Sequence, residues 1–119
     1  MRWRRGKNKF GAVSTGSFPS KLEAAVYQIL LLRERSGEVK EIRRQHVVSL
    51  TEAKINYKVD FSCTLISTGE TLFVEAKGYP TDLWNLKKRL WEYYGPGKLE
   101  IWCGDYRRPF LKETVIPEN

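Results

Sequence analysis

The chain has 119 residues, 41% of them hydrophobic and 13% aromatic, which is enough for one compact core and too short for a second recognition module. Its 21 Lys and Arg against 14 Asp and Glu give +7 at pH 7, a balance that points to an anionic partner. No apolar run approaches the roughly 18 residues of a membrane span, Met1-Arg2-Trp3-Arg4-Arg5 is followed by polar residues rather than a secretory core, and Cys63 and Cys103 have no CxxC spacing, so the expectation is a folded cytoplasmic protein with no membrane, zinc or disulfide scaffold.

The charge is unevenly placed. Arg2, Arg4, Arg5, Lys7, Lys9 and Lys21 all precede the first acid, Glu23, leaving 15 basic against 14 acidic residues from there on. With Trp3 and Phe10 interleaved, the N-terminus reads as a basic arm able to neutralise phosphates and stack on bases. A solvated tail, or an arm for anionic lipid or ribosomal surfaces, has the same composition. Residues 11–17 are small, polar and Gly-rich, so the chain divides into an arm and flexible loop over 1–17 and a single domain over 18–119.

Within that domain, Ser20-Lys21-Leu22-Glu23 matches a capping box, and Leu22, Val26, Ile29 and Leu30 follow at helical spacing until Gly37, predicting a helix over 20–36. Ile42, Val47, Val48 and Leu50 predict a first strand over 41–50. The next is the clearest: Ile55, Tyr57, Val59, Phe61, Cys63 and Leu65 alternate with Asn56, Lys58, Asp60, Ser62 and Thr64, one face apolar and the other polar. A turn over 67–70 joins it to a strand over 71–77 as an antiparallel hairpin, stopped by Gly78 and Pro80. Thr81 or Asp82 caps a second helix with a stripe of Leu83, Leu86, Leu90 and Tyr94, closed by Gly95-Pro96-Gly97. Lys98 to Cys103 predicts a last strand, and Arg107-Arg108-Pro109 falls in a C-terminal tail. The order αβββαβ predicts an α/β fold, a central mixed β-sheet flanked by helices.

Asp60 lies on the polar face of its strand, and Glu75 and Lys77, two apart on the next, share a face, so the three can converge. Paired carboxylates suit a hard divalent cation such as Mg²⁺, with the Ala76 carbonyl as a further oxygen ligand. Such an ion polarises a phosphate and acidifies water, and an adjacent Lys77 can orient that water or neutralise developing charge. A cross-strand ion pair on a solvated face is the ordinary reading of the same residues. Against it, Val59-Asp60-Phe61 and Phe73-Val74-Glu75-Ala76-Lys77 embed these charges in apolar strands, where burial is costly without a role.

Glu23, Asp60, Glu75 and Lys77, in that order and on those elements, resemble the PD-(D/E)xK nuclease superfamily, and within it the phage and archaeal-type Holliday junction resolvases. The resemblance covers most of the chain; its one departure is Val59, standing where the superfamily has proline. It implies a restriction-endonuclease-like core, Asp60 and Glu75 as metal ligands, Lys77 as catalytic lysine and Glu23 completing the metal site. Glu23 is equally the N3 glutamate of the capping box, where it can bond the Ser20 backbone. Gln45, beside the site, is a candidate contact for metal-bound water or the DNA backbone. His46, with no Ser or Cys partner evident, reads as structural.

Trp84, Lys87, Lys88 and Trp91 fall off the Leu stripe of the second helix, offering aromatic and basic groups together for DNA, with core packing or a dimer seam as equal readings of the same residues. The expectation is therefore a Mg²⁺-dependent endonuclease, with Mn²⁺ able to substitute, that binds branched DNA by shape and backbone and cuts four-way junctions as a homodimer, in the host cytoplasm if phage-encoded. The alternatives are another phage endonuclease, a nickase or a transposase-like end cutter of the superfamily, or a non-catalytic DNA-binding module on the same fold.

Overall fold

The computed structural model describes Phe18 and residues 20–77 and 82–118. The order is α1 (Lys21–Arg35), β1 (Val39–Ser49), β2 (Asn56–Leu65), β3 (Thr71–Ala76), α2 (Asp82–Tyr94), β4 (Lys98–Cys103) and β5 (Phe110–Val115). Five strands form one mixed sheet in the order β1-β2-β3-β4-β5. β3 and β4 are parallel and the other pairs antiparallel, because only β3 and β4 are separated by a helix long enough to carry the chain back across the sheet. The expected mixed sheet with two helices is present, but the order gains a strand: β5 lies within what the sequence suggested was a tail. No helix among the described residues is long and apolar enough to cross a membrane.

Local signals fix α1. The Ser20 hydroxyl accepts the Glu23 N–H at 3.0 Å, satisfying one of the free donors of the first turn. At the other end Gly37 takes φ 86°, and the N–H groups of Gly37 and Glu38 bond back to the carbonyls of Glu34 and Arg33, a Schellman closure that only a residue tolerant of the left-handed region makes cheaply.

The sheet separates two apolar layers. Leu22, Ala24, Val26 and Leu30 of α1 pack with Leu72 and Val74, while Trp84 and Trp91 of α2 pack with Phe73, Leu99 and Ile101. The alternation of β3 between the layers sends Glu75, two residues after Phe73, toward α2. Arg33 ties α1 to β4, donating to both oxygens of the buried Glu100 at 2.8 and 3.2 Å, with Trp102 Nε1 donating to the same carboxylate at 3.0 Å. Cys63 and Cys103 are free and buried on opposite layers.

Two sequence expectations are corrected. The stripe of α2 is rotated: Trp84 and Trp91 are 5% and 0% exposed, whereas Leu83 and Leu86 are 64% and 56% exposed and Tyr94 is open. Tryptophans seven residues apart share a helix face, and burying two indoles removes more apolar area from water than burying two leucines. Only Leu90 of the expected stripe packs partly against the core. The second correction concerns β2, whose apolar residues do not share one face. Tyr57 and Val59 join the α2 layer, but Phe61 and Cys63 join the α1 layer. The strand changes face at Asp60.

β1 turns at the same level. Arg44 lies over the Phe18 ring on the α1 side at 3.9 Å, and His46 meets Phe73 edge-on at 5.4 Å on the α2 side. Between them Gln45 has φ 57°, a left-handed conformation that reverses the pleat and costs a non-glycine residue about 1 kcal/mol or more. The flanking pairs Arg44↔Phe61 and His46↔Val59 set Gln45 opposite Asp60.

Candidate functional site

The hydrogen-bonded ladder between β2 and β3 ends at the pair Phe61↔Val74. One residue further, side chains replace the backbone partners. The Asp60 N–H donates to Glu75 Oε1 at 3.1 Å, and the Ala76 N–H donates to Asp60 Oδ2 at 2.9 Å. β3 meanwhile stays on β4 through Ala76↔Trp102, with the Lys77 N–H donating to the Trp102 carbonyl at 2.7 Å. The sheet thus forks, and two acidic side chains close the fork from inside.

The four residues expected to form a site come to this fork. Glu75, 5% exposed, extends Oε2 toward Lys77 Nζ at 3.3 Å. Lys77 also lies over the Trp84 ring, with Nζ 5.2 Å from its centroid. Glu23, 4% exposed, reaches the fork from α1: its backbone completes the cap on Ser20, while its carboxylate accepts a hydrogen bond from Gln45 Nε2 at 3.1 Å and stands against Asp60. Cap and site residue are therefore the same glutamate, through different atoms. Gln45 engages the site through Glu23, and its strained backbone turns it there.

The electrostatics follow from crowding acids where water is scarce. Burial pushes Glu23 up to about 7, with the neighbouring Asp60 charge adding and Arg44 opposing. Glu75 is raised by burial and then by Asp60, against the pull of Lys77. Asp60 is also raised, burial outweighing the Ala76 N–H that favours its charged form. Asp60 meets both Glu23 and Glu75, so it stands in the middle of a row of three carboxyls. Among the described residues no three His, Cys, Asp or Glu side chains enclose a point that would hold a metal ion. The donor chemistry nonetheless suits one: burial holds three oxygen acids at raised pKa, Asp60 adding to the shifts of Glu23 and Glu75, and a hard divalent cation offsets such a concentration of negative charge. Ala76 is half-buried at the end of β3, between Glu75 and Lys77.

Beside the row, Tyr57, Lys58, Glu75, Lys77, Trp84 and Lys87 line a cleft of about 270 Å³ under the first turns of α2. Lys87 donates to the Asn56 carbonyl at 3.1 Å and lies over the Tyr57 ring, whereas Lys88 is drawn away to Glu113 of β5 at 2.7 Å. Lys21 begins α1, exposed, its ammonium 4.9 Å from the Tyr106 ring centroid. Arg2, Arg4, Arg5, Lys7 and Lys9 lie outside the described residues. Of the readings of Trp84 and Trp91, core packing is the one found, so they present neither an aromatic–basic face nor a dimer seam. His46 does have a hydroxyl partner, Ser62 Oγ at 2.9 Å from Nδ1, which strand register supplies and spacing along the chain does not reveal. Arg44, Tyr57 and Lys58 were not singled out in the sequence. Only the hydroxyl that Tyr57 carries on an apolar face could have drawn notice.

No family model matches the chain, nor does any curated protein or solved structure.

Proposed function

We propose that the chain is a metal-dependent endodeoxyribonuclease of the PD-(D/E)xK type with a restriction-endonuclease-like core, cutting four-way DNA junctions as a cytoplasmic homodimer. The observation that carries this reading is the meeting of Glu23, Asp60, Glu75 and Lys77 at a fork in the sheet, three acids of raised pKa with an ammonium at one end. A purely structural fork needs no such concentration of acids, since each one buried costs stability.

Glu23, Asp60 and Glu75, with the Ala76 carbonyl, would hold Mg²⁺, or Mn²⁺ in its place. When bound, the ion supplies Lewis acidity toward a phosphate oxygen and lowers the pKa of its water. Asp60 is fixed for this by the Ala76 N–H and Glu75 by the Asp60 N–H, so neither acid needs to search for its position. Lys77 presents an ammonium at the open end, placed to orient the attacking water and to neutralise charge on the phosphate. Lys58 and Lys87, on the same cleft, extend that positive edge along a backbone. Lys21 and the N-terminal cations would neutralise phosphates further out. For the homodimer, the exposed apolar surface on α2 includes Leu83, Leu86, Tyr93 and Tyr94.

The row-like disposition of the acids favours one second reading, a DNA-binding module that has the fold without the chemistry. Purified protein incubated with a synthetic four-way junction in Mg²⁺, in Mn²⁺ and in EDTA separates the two. The nuclease makes paired, metal-dependent cuts and spares linear duplex. A general nuclease or nickase of the superfamily cuts the duplex as well, and the binder shifts the junction on a native gel in every buffer without nicking it.

A further inference from the structure

Lys77 is tied to Glu75 Oε2 at 3.3 Å, and carrying its ammonium further out, onto a phosphate, takes it away from that oxygen. Its departure strips a buried carboxylate of its cation, a costly state unless another donor arrives. One donor is already in place. Tyr57 is 4% exposed, its hydroxyl is buried with no hydrogen-bond partner among the described residues, and it lies beside the Glu75 carboxylate, close enough to feel the charge yet without a bond of ordinary geometry. Buried hydroxyls almost always find partners, so an idle one at the edge of a candidate site calls for a state in which it is used.

The Tyr57 ring cannot swing the hydroxyl out to solvent. Trp84 and Trp91 pack against it edge-on, at 6.1 and 5.7 Å between centroids, and the Lys87 ammonium covers it at 5.2 Å. The hydroxyl is held where, among the described residues lining its cleft, Glu75 is the one that carries a carboxylate.

We propose that Tyr57 is a positioning residue which takes over the Glu75 oxygen now held by Lys77, so that Lys77 is released toward the substrate while Glu75 stays bonded and in place. The purpose of the exchange rests on the nuclease reading; its existence does not, and can be tested without metal or DNA.

The test is a double-mutant cycle read by thermal melting of the full chain in EDTA, using wild type, Y57F, K77M and Y57F/K77M, with K77A repeating the vacating change. In the wild-type background Y57F removes an idle hydroxyl and should leave Tm unchanged or raise it. In K77M or K77A the hydroxyl has moved onto Glu75, and the same substitution should lower Tm by about 4 °C. An equal effect of Y57F in all backgrounds overturns the exchange. In a parallel junction assay, Y57F should lower kcat about tenfold with KM unchanged, because the residue acts on positioning rather than binding. A sign reversal in the melts with no cleavage by any variant would reject the nuclease and keep the exchange. A flat cycle in an active enzyme would do the opposite.

Discussion

Asp60 and Glu75 sit across from one another just beyond the last backbone pair of β2 and β3, and the Asp60 N–H is bonded to the Glu75 carboxylate instead of to a carbonyl. The carboxylate of Asp60 in turn accepts the N–H of Ala76. Each acid therefore does structural work that its amide analogue can also do, which separates fold from chemistry.

Asp60→Asn keeps an oxygen for the Ala76 N–H, so the melting temperature should stay within a few degrees of wild type while junction cleavage falls on the order of a thousandfold. Asp60→Ala leaves that N–H unpaired and should lose about 1–3 kcal/mol of stability as well. Denaturant melts and a junction assay on the same preparations check both. Undiminished cutting by Asp60→Asn would dismiss the site.

Stability should fall as pH rises. Glu23 ionises at about 7 in the folded chain against an ordinary value of 4.5, so the folded state binds the extra proton between these limits. Stability from this group is therefore greatest below pH 4.5, declines through the window to pH 7, and is level above it. Asp60 and Glu75 shift in the same direction. Glu38, held below its usual range by Arg33, gives the opposite slope but only at more acid pH, outside the window. Melts in EDTA should show a Tm about 5 °C higher at pH 5 than at pH 8, a difference that Glu23→Gln reduces. Added Mg²⁺ should raise Tm more at pH 8, where it competes with no protons.

Trp84→Ala or Trp91→Ala should each destabilise the chain by about 3–5 kcal/mol, since both indoles are buried in the α2 layer. Leu83→Ala and Leu86→Ala should cost about 0.5 kcal/mol or less in the monomer. Urea titration of the four variants checks the order. The reverse ranking would restore the leucine stripe.

That stripe shows where the sequence stops being legible. α1 is readable because Ser20 and Gly37 mark its ends, and the β2–β3 hairpin because its alternation is long. The face of α2 is not, because residue spacing weights Leu and Trp alike while burial weights them by area. β5 is hidden because Lys112 and Glu113 interrupt any apolar pattern, and as an edge strand it buries only Val115. At the site, acids and a lysine inside apolar strands announce Asp60, Glu75 and Lys77. Nothing announces a glutamine in left-handed conformation, or the change of face that brings Gln45 and Asp60 level.

Removing residues 1–10 should weaken junction binding and flatten its salt dependence, because the arm carries Arg2, Arg4, Arg5, Lys7 and Lys9. If all five contact phosphates, the slope of log K against log salt should drop by about 4.5 units. Fluorescence anisotropy across a salt series, in Ca²⁺ to hold off cutting, measures this. An unchanged slope would leave the arm without a part in binding.

Because β1 and β2 each turn over midway, the same two ribbons are stitched into both halves of the interior. Neither helix owns a separate half that could melt while the other survives. Loss of α1 would strip apolar cover from Phe61 and Cys63, and loss of α2 from Tyr57 and Val59, a few residues along one strand. The molecule should come apart in a single concerted event, and amides on either side of the turnover should exchange with solvent at a common, slowest rate.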